Sequence, residues 1–479
     1  FGSSWSIDPC SPSDKRRTSM SKVQALVVNC GSSSLKYAVF EMQPDGELEE
    51  LCCGLVDKIN LDGCVIKHEL KKGRSDEISI ALKDHGMAME KVVELLLAPG
   101  GPVKDKAHIR VVGHRVVHGG DKFSEPTVVA SDVMKALEEL IPLAPLHNPA
   151  NIEGVRRAQA TFPDSPHVLV FDTAFHSTMP PESYRYAIPK ELYTEHHVRR
   201  YGFHGTSYKY VAERVAEIMR QPLAGLNLII CHLGNGCSMA CLKGGKVIDT
   251  TMGLTPLEGL MMGTRSGDID AGVYTFLCNS LNKTAKEVDV ILNKKSGLLG
   301  VAGTSDMRDV IKAAAEGNED AVVARSMYVH RVRKYLGAYL VSLHGELDAL
   351  VFTGGVGEND RGFRELAVEQ LEPLGIELDV KKNKALKGEG DISSLSSPAR
   401  VLVIPTREEY CIAQQSLEAV DLRKKLAPSP STSVRCRGRP HSAGRLNTNR
   451  RSPILFVVSA AVIAACAVLV DRWVTSRMQ

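Results

Sequence analysis

The sequence predicts an α/β protein. Three observations carry that class: short apolar runs of strand length that stop at glycine-rich turns, longer stretches of helical period between them, and a strand–turn–strand unit that occurs twice. The first run, residues 24–29, ends at Gly31-Ser32-Ser33-Ser34 and resumes over 35–42. This is strand–turn–strand, not a P-loop: a P-loop needs a helix and a Lys-Ser/Thr pair after its glycines. Residues 132–141 read as a helix, and 168–171 as a strand that delivers Asp172. A helix is predicted over 208–218. Residues 226–231, the Gly/Asn turn 232–237 and residues 238–242 then repeat the first hairpin, with a third strand at 247–250. Two such hairpins far apart in the chain suggest two related halves. A long helix is predicted over 318–343, and a buried strand over 349–352. Thr353-Gly354-Gly355-Val356-Gly357-Glu358-Asn359 then reads as a turn leading into a helix over 360–371. Strand, glycine turn and helix N-terminus form an architecture suited to anions and nucleotides.

Composition narrows the function. The chain has 479 residues, 43% hydrophobic and 24% charged, within the range of ordinary globular proteins and long enough for two or three domains. Its net charge of +3 is small and its basic excess lies toward the C-terminus, so the globular part offers no electrostatic footprint for nucleic acid. The 12 cysteines lack CxxC or zinc spacing and several, such as Cys231 and Cys278, sit in apolar runs. They read as reduced, buried thiols in a reducing compartment. Residues 1–20 form a Ser/Pro-rich extension with no apolar core, so they are not a secretory signal, and Met20 fits a start site.

Glycine-rich turns let backbone N–H groups approach phosphate oxygens. Around them the sequence places charged and imidazole groups in specific strings: Gly113-His114-Arg115-Val116-Val117-His118-Gly119-Gly120, Phe171-Asp172-Thr173, Gly202-Phe203-His204-Gly205-Thr206-Ser207 and Gly263-Thr264-Arg265-Ser266-Gly267. Together with Asn29-Cys30-Gly31-Ser32-Ser33-Ser34-Leu35-Lys36 and His232-Leu233-Gly234-Asn235-Gly236, they resemble the acetate kinase family, in order, over residues 21–423.

The resemblance implies two duplicated actin-like (ribonuclease H-like) domains around a nucleotide cleft. Residues 21–175, completed by 409–426, would form the first, and residues 176–408 the second. It implies reversible transfer of the ATP γ-phosphoryl group to acetate, giving acetyl phosphate and ADP, with Mg²⁺, in a homodimer. It also implies roles. Asp172, His204 and Arg265 would be catalytic. Arg115 would bind the acid's carboxylate, and Val117, Leu146 and Pro256 its methyl group. Lys36, His232, Leu233, Gly234, Asn235, Gly236, Asp306, Met307, Arg308, Gly355, Val356, Gly357, Glu358 and Asn359 would hold the nucleotide. Asn29 and Glu408 would position the metal.

The chemistry suits these residue types. Phosphoryl transfer is catalysed by positioning and positive charge, arginine offers a planar fork to carboxylates and phosphates, and Mg²⁺ keeps waters and needs few protein ligands. Acetate is already ionised at neutral pH and needs no general base, so Asp172 is read as orienting an arginine or the metal shell. The chain departs from the family at Arg407, where asparagine is usual, at Gly354, where alanine is common, and at Met307, where phenylalanine is frequent. His114, His118, His147 and His176 are read as structural or as supporting the site from behind, and Glu409 as solvated.

The alternatives are a propionate or butyrate kinase on the same fold, and an inactive kinase-like membrane adaptor. From residue 427 a basic Ser/Pro/Arg linker runs to 453. Residues 454–470 are an uncharged apolar run at the short end of transmembrane length. They are read as a tail anchor that would hold a cytoplasmic catalytic domain on an organelle membrane.

Overall fold

Strand β1 (Gln24–Cys30) shows how the first half is built. It is buried along its length except at Asn29, and such a continuous apolar run suits a strand covered on both faces. Alternate residues face opposite ways. Leu26, Val28 and Cys30 join a core with Ala88, Met89 and Val92 of the helix His85–Leu97 and Ala158 of the helix Asn148–Thr161. Ala25 and Val27 join Ile412, Ala413 and Leu417 of the helix Glu408–Ala419. The last helix of the described chain therefore covers the first sheet.

That sheet also holds β2 (Ser34–Met42), β3 (Leu48–Asp57), β4 (Val65–Leu70), β5 (Arg74–Ser79), β6 (Ile109–Val116), β7 (Thr127–Val128) and β8 (His167–Phe171), in the order β5-β4-β3-β2-β1-β6-β8-β7. Strands β1 to β5 run antiparallel to one another in succession, whereas β6 is parallel to β1 and β8 to β6.

The second sheet repeats the scheme. It consists of β9 (Leu228–Leu233), β10 (Cys237–Lys243), β11 (Lys246–Thr250), β12 (Ala349–Thr353), β13 (Gly390–Asp391) and β14 (Arg400–Val403), in the order β11-β10-β9-β12-β14-β13. An antiparallel meander again leads into parallel strands, β12 beside β9 and β14 beside β12. Its central strand alternates like β1. Leu228 and Ile230 share a core with Tyr208, Val211 and Val215 of the helix Gly205–Met219. Ile229, Cys231 and Leu233 share one with Tyr328, Val332 and Leu336 of the helix Glu319–Ser342. The two hairpins recognised in the sequence are thus the central hairpins of two sheets with one strand plan.

The computed structural model describes residues 22–71 and 73–421. The extension at 1–20, the linker at 427–453 and the apolar run at 454–470 lie outside the described residues; among those described, no helix is long and apolar enough to cross a membrane. Two local expectations change. The glycine turn after β12 is itself helical, Gly354–Asn359, and a second helix, Arg361–Val368, follows it. The break falls at Asp360, whose carboxylate accepts from the Phe363 N–H and so caps a new helix. Cys278 is half-buried on the largely exposed helix Ala271–Ser280 instead of in a core. All nine described cysteines are free thiols.

One side chain ties the site-bearing ends of the first sheet together. Buried Asn151 donates to the Cys30 carbonyl at 2.7 Å and accepts from the Val117 N–H at 3.0 Å, which joins the end of β1 to the end of β6. Asn151→Ala should cost about 2–4 kcal/mol in urea unfolding, because two buried backbone groups lose their partner. A loss below about 0.5 kcal/mol would contradict this role.

Candidate active site

Parallel strands bring their C-terminal ends to one edge, the usual place for ligands in such sheets. Here that edge carries Asn29, Arg115 and Asp172 from the first sheet. Asp172 is 1% exposed and takes Arg115 as a two-pronged partner: Nε donates to Oδ1 at 3.0 Å and Nη2 to Oδ2 at 2.6 Å. Burial works against the Arg115 guanidinium, yet the charges of Asp172 and Glu408 outweigh it and hold its pKa above the ordinary value. Nη1 of Arg115 makes no hydrogen bond to the described residues, so one N–H edge stays available to a ligand.

The Asp172 carbonyl accepts from the Gly205 N–H at 2.9 Å. A side chain at Gly205 would collide with that carbonyl, so only glycine permits this contact. The contact fixes the start of the helix Gly205–Met219, and His204 sits just before it in the left-handed region, φ 60°. The His204 ring stacks on His232, centroids 4.1 Å apart. Burial, the neighbouring His232 and the charges of Arg115 and Arg265 hold the His204 pKa well below its ordinary value. Burial and Arg115 bring His232 down to about 4. Both imidazoles are neutral at pH 7.

Arg265 lies opposite. Its Nη1 donates to the Pro256 carbonyl at 3.2 Å. Among the described residues it has no carboxylate partner, and burial followed by the Arg115 charge lowers its pKa. A half-buried guanidinium without a carboxylate partner is a site for an anion. Gly236, in the turn between β9 and β10, marks the meeting point: a Cβ built there would lie 3.4 Å from His204 Nε2 and 3.6 Å from Arg265 Nη1. The Gly263 N–H donates to the Asn235 carbonyl at 2.9 Å, tying the arginine loop to this turn.

Beyond the turn opens a cavity of about 920 Å³. It is lined by Gly234, Asn235, Asp306, Met307, Arg308, Gly355, Val356 and Asn359 from the expected nucleotide set, and also by Leu298, Ser305, Ile311, Asp360 and Arg361. Its size fits a nucleotide. Asp306 caps its helix by accepting from the Arg308 N–H and also holds the Arg308 guanidinium, which brings the Asp306 carboxyl down to about 2.

Others of the expected set lie elsewhere. The Leu233 side chain is in the core, and the Gly357 carbonyl accepts from buried Arg364. Glu358 turns inward. Its Oε1 accepts from the Gly354 N–H at 2.9 Å and the Thr406 N–H at 3.1 Å, which pins the glycine helix to the strand-end loop before Glu408.

Glu408 is half-buried, and burial raises its carboxyl pKa against the opposing charges of Arg115 and Lys36. Lys36 pairs across the β1–β2 hairpin with Asn29. Neither the Asn29 amide nor the Glu408 carboxylate hydrogen-bonds to the described residues. One neutral and one anionic oxygen donor, both open, fit a hard divalent cation that keeps most of its waters. Arg407 does not intrude: its guanidinium lies 4.5 Å from the centre of the Tyr410 ring.

Of the expected apolar pocket, Val117 is buried, Pro256 is partly exposed and Leu146 is 53% exposed. His147 lies near the site. It is half-buried, and after burial the charges of Arg265 and Arg115 act on it. Glu409, read as solvated, is half-buried and close enough for its charge to act on Arg115. His176 supports the site from behind, bonded through Nε2 to the Phe203 carbonyl at 2.8 Å. Ser238, Tyr208 and Thr406 were missed, because lone hydroxyls in buried segments carry no pattern.

Comparison with known proteins is consistent along the chain. The model of the acetokinase family matches residues 24–414. An acetate kinase of Natranaerobius thermophilus is 50% identical over 396 residues, 82% of this chain and 98% of the relative. The crystal structure of Porphyromonas gingivalis acetate kinase superposes with a TM-score of 0.79 at 44% identity, covering 83% of this chain and 100% of that one. A propionate kinase from Francisella tularensis gives 0.77 at 42%, covering 83% and 99%.

The buried neutral histidines predict acid sensitivity. His118, His176 and His232 are each held near 4, chiefly by burial. The unfolded chain takes up their protons from about pH 6.5 downward while the folded chain does not. Unfolding free energy should therefore fall from pH 6.5 toward 4, at up to about 1.4 kcal/mol per pH unit for each histidine. Urea titrations giving equal stability at pH 7 and pH 5 would contradict it.

Proposed function

The chain belongs to the acetokinase family and catalyses phosphoryl transfer to acetate, and on that premise we propose how its own residues carry the reaction. The observation that supports the reading most is the meeting of Arg265, which has no carboxylate partner among the described residues, with neutral His204 beside Gly236, in the turn whose Gly234 and Asn235 line the large cavity.

ATP occupies the cavity with its phosphates toward Gly234 and Gly236. The acetate carboxylate takes the open Nη1 edge of Arg115, and its methyl group lies toward Val117, Leu146 and Pro256. An acetate oxygen attacks the γ-phosphorus, a new O–P bond forms, and the bond to the β-phosphate oxygen breaks to release ADP. No proton moves, because acetate arrives as its anion. The reverse reaction retraces the same path from acetyl phosphate and ADP.

Arg265 and the His204 N–H stabilise the equatorial oxygens, where charge concentrates. Asp172 has both oxygens committed to Arg115. That supports its reading as the group that aims the arginine. Mg²⁺, held by Asn29 and Glu408, would neutralise phosphate charge when bound.

Further readings follow from the same premise. The two sheets with one strand plan are duplicated actin-like domains, the first made of residues 21–175 and 409–426 and the second of 176–408. Exposed Val273, Tyr274 and Phe276 on the helix Ala271–Ser280, with Ile269 and Leu281 at its flanks, support a homodimer face. The free thiols support a reducing compartment.

Two outcomes test the assignment. Folded Arg265→Ala should lose on the order of a hundredfold or more in kcat, and near-normal turnover would overturn its role. In a hydroxamate assay, acetate should give the highest kcat/KM. Propionate should be poorer by on the order of tenfold, since one methylene is worth about 1–3 kcal/mol. Val117→Ala should narrow that ratio, and a preference for propionate in the unaltered enzyme would favour the propionate kinase reading.

A further inference from the structure

Two chains of buried hydroxyls converge on the stacked histidines. On one side Tyr208 Oη lies 2.5 Å from Ser238 Oγ, which lies 2.8 Å from His204 Nδ1. On the other, Thr406 Oγ1 lies 2.9 Å from Ser207 Oγ, which lies 2.8 Å from His232 Nδ1. The donor of each bond follows from counting protons. Tyr208 is fully buried, and among the described residues its hydroxyl has no partner but Ser238. Its hydrogen must therefore go to Ser238 Oγ or be left unpaired, at a cost a buried group seldom bears. Ser238 then spends its own hydrogen on His204 Nδ1. A neutral imidazole that accepts at Nδ1 carries its hydrogen on Nε2. On the other side the half-buried Thr406 hydroxyl donates to Ser207 Oγ, which leaves the Ser207 hydrogen for His232 Nδ1.

Both Nε2 atoms face the glycines of the turn between β9 and β10. His204 Nε2 is 3.4 Å from the Cβ position of Gly236, and His232 Nε2 is 3.9 Å from that of Gly234. We propose that Tyr208 with Ser238, and Thr406 with Ser207, are positioning residues that lock His204 and His232 in the Nε2–H tautomer, so that the stacked pair presents two uncharged N–H donors to the phosphoryl oxygens. The proposal rests on the reading that the transferred phosphoryl group lies at Gly236.

The arrangement answers a specific problem. Arg115 and Arg265 already bring two positive charges to the site, and a third on a stacked ring would repel both. A neutral ring still donates, but only from the nitrogen that bears hydrogen. In the other tautomer Nε2 would be a bare lone pair facing phosphate oxygens, which is repulsive. The hydroxyl chains remove that choice in advance of binding, as preorganised catalysis requires. The two chains share one helix and diverge from it. Tyr208 and Ser207 come from the helix Gly205–Met219, Ser238 from β10, and Thr406 from the loop that Glu358 pins.

The test uses the full chain with ¹⁵N-labelled histidine. Long-range ¹H–¹⁵N spectra at pH 7, assigned with His204→Gln and His232→Gln, should show a pyridine-type Nδ1 and a pyrrole-type Nε2 for both rings. The reverse pattern in either ring overturns the lock for that ring. Ser238→Ala should then lower kcat by about 10- to 100-fold while the nucleotide KM stays within about threefold. Tyr208→Phe leaves the serine free to rotate. It should give a smaller loss and a mixed tautomer signal at His204, a change that a purely structural role would not produce. If His204→Ala is slow and both hydroxyl variants turn over normally with unchanged ¹⁵N shifts, the positioning role is wrong. If His204→Ala itself turns over normally, the placement of the phosphoryl group beside it is wrong instead.

Discussion

The Arg115–Asp172 pair organises the site. A carboxylate with 1% exposure would be unstable alone, and removing either member of such a pair leaves a buried charge without compensation. The pair lies where β6 and β8 end side by side, so it can form only if those parallel strands hold their register. The backbone of Asp172 then reaches the second half of the chain by accepting from Gly205, the residue after His204, which takes a left-handed conformation. One residue thereby aims an arginine through its carboxylate and anchors the residue after a histidine through its carbonyl. Strain at His204 is tolerated because the surrounding bonds leave it no alternative.

Charge is divided along the cleft. Near Arg115 the field is mixed, with Asp172, Glu408 and Glu409 acting on one guanidinium. Near Arg265 it is positive, with neutral imidazoles beside it. The acidic side suits a cation, and the positive side suits the phosphoryl group in flight. Glu358 binds these regions mechanically, since its carboxylate holds both the glycine helix that lines the cavity and the loop that leads to Glu408.

Much of this was legible in the sequence because it rests on burial and on backbone freedom. Strands β1 and β9 could be read because both faces are covered, so nearly every side chain must be apolar. The repeat of the fold showed itself as a repeated glycine hairpin. Arg115, Asp172, His204 and Arg265 stood out through strings that resemble the acetate kinase family; each alone would pass for a surface or strand-end residue. The glycine helix after β12 was hidden, since glycine is a poor helix former and its helix is held by Glu358 and by the buried guanidinium of Arg364. Ser238, Tyr208 and Thr406 were hidden for another reason. A hydroxyl acquires a role only from what lies opposite it across the fold, and a lone serine does not reveal its neighbour.

The central claim is that Asp172 acts through Arg115 and not as an independent proton acceptor. A double-mutant cycle reads this directly, with kcat/KM for acetate measured in Arg115→Ala, Asp172→Asn and the double variant. If the carboxylate only aims the guanidinium, its loss adds nothing once the arginine is gone, and the double variant should match Arg115→Ala to within about threefold. If the two losses multiply instead, Asp172 has a chemical task of its own and the account is wrong.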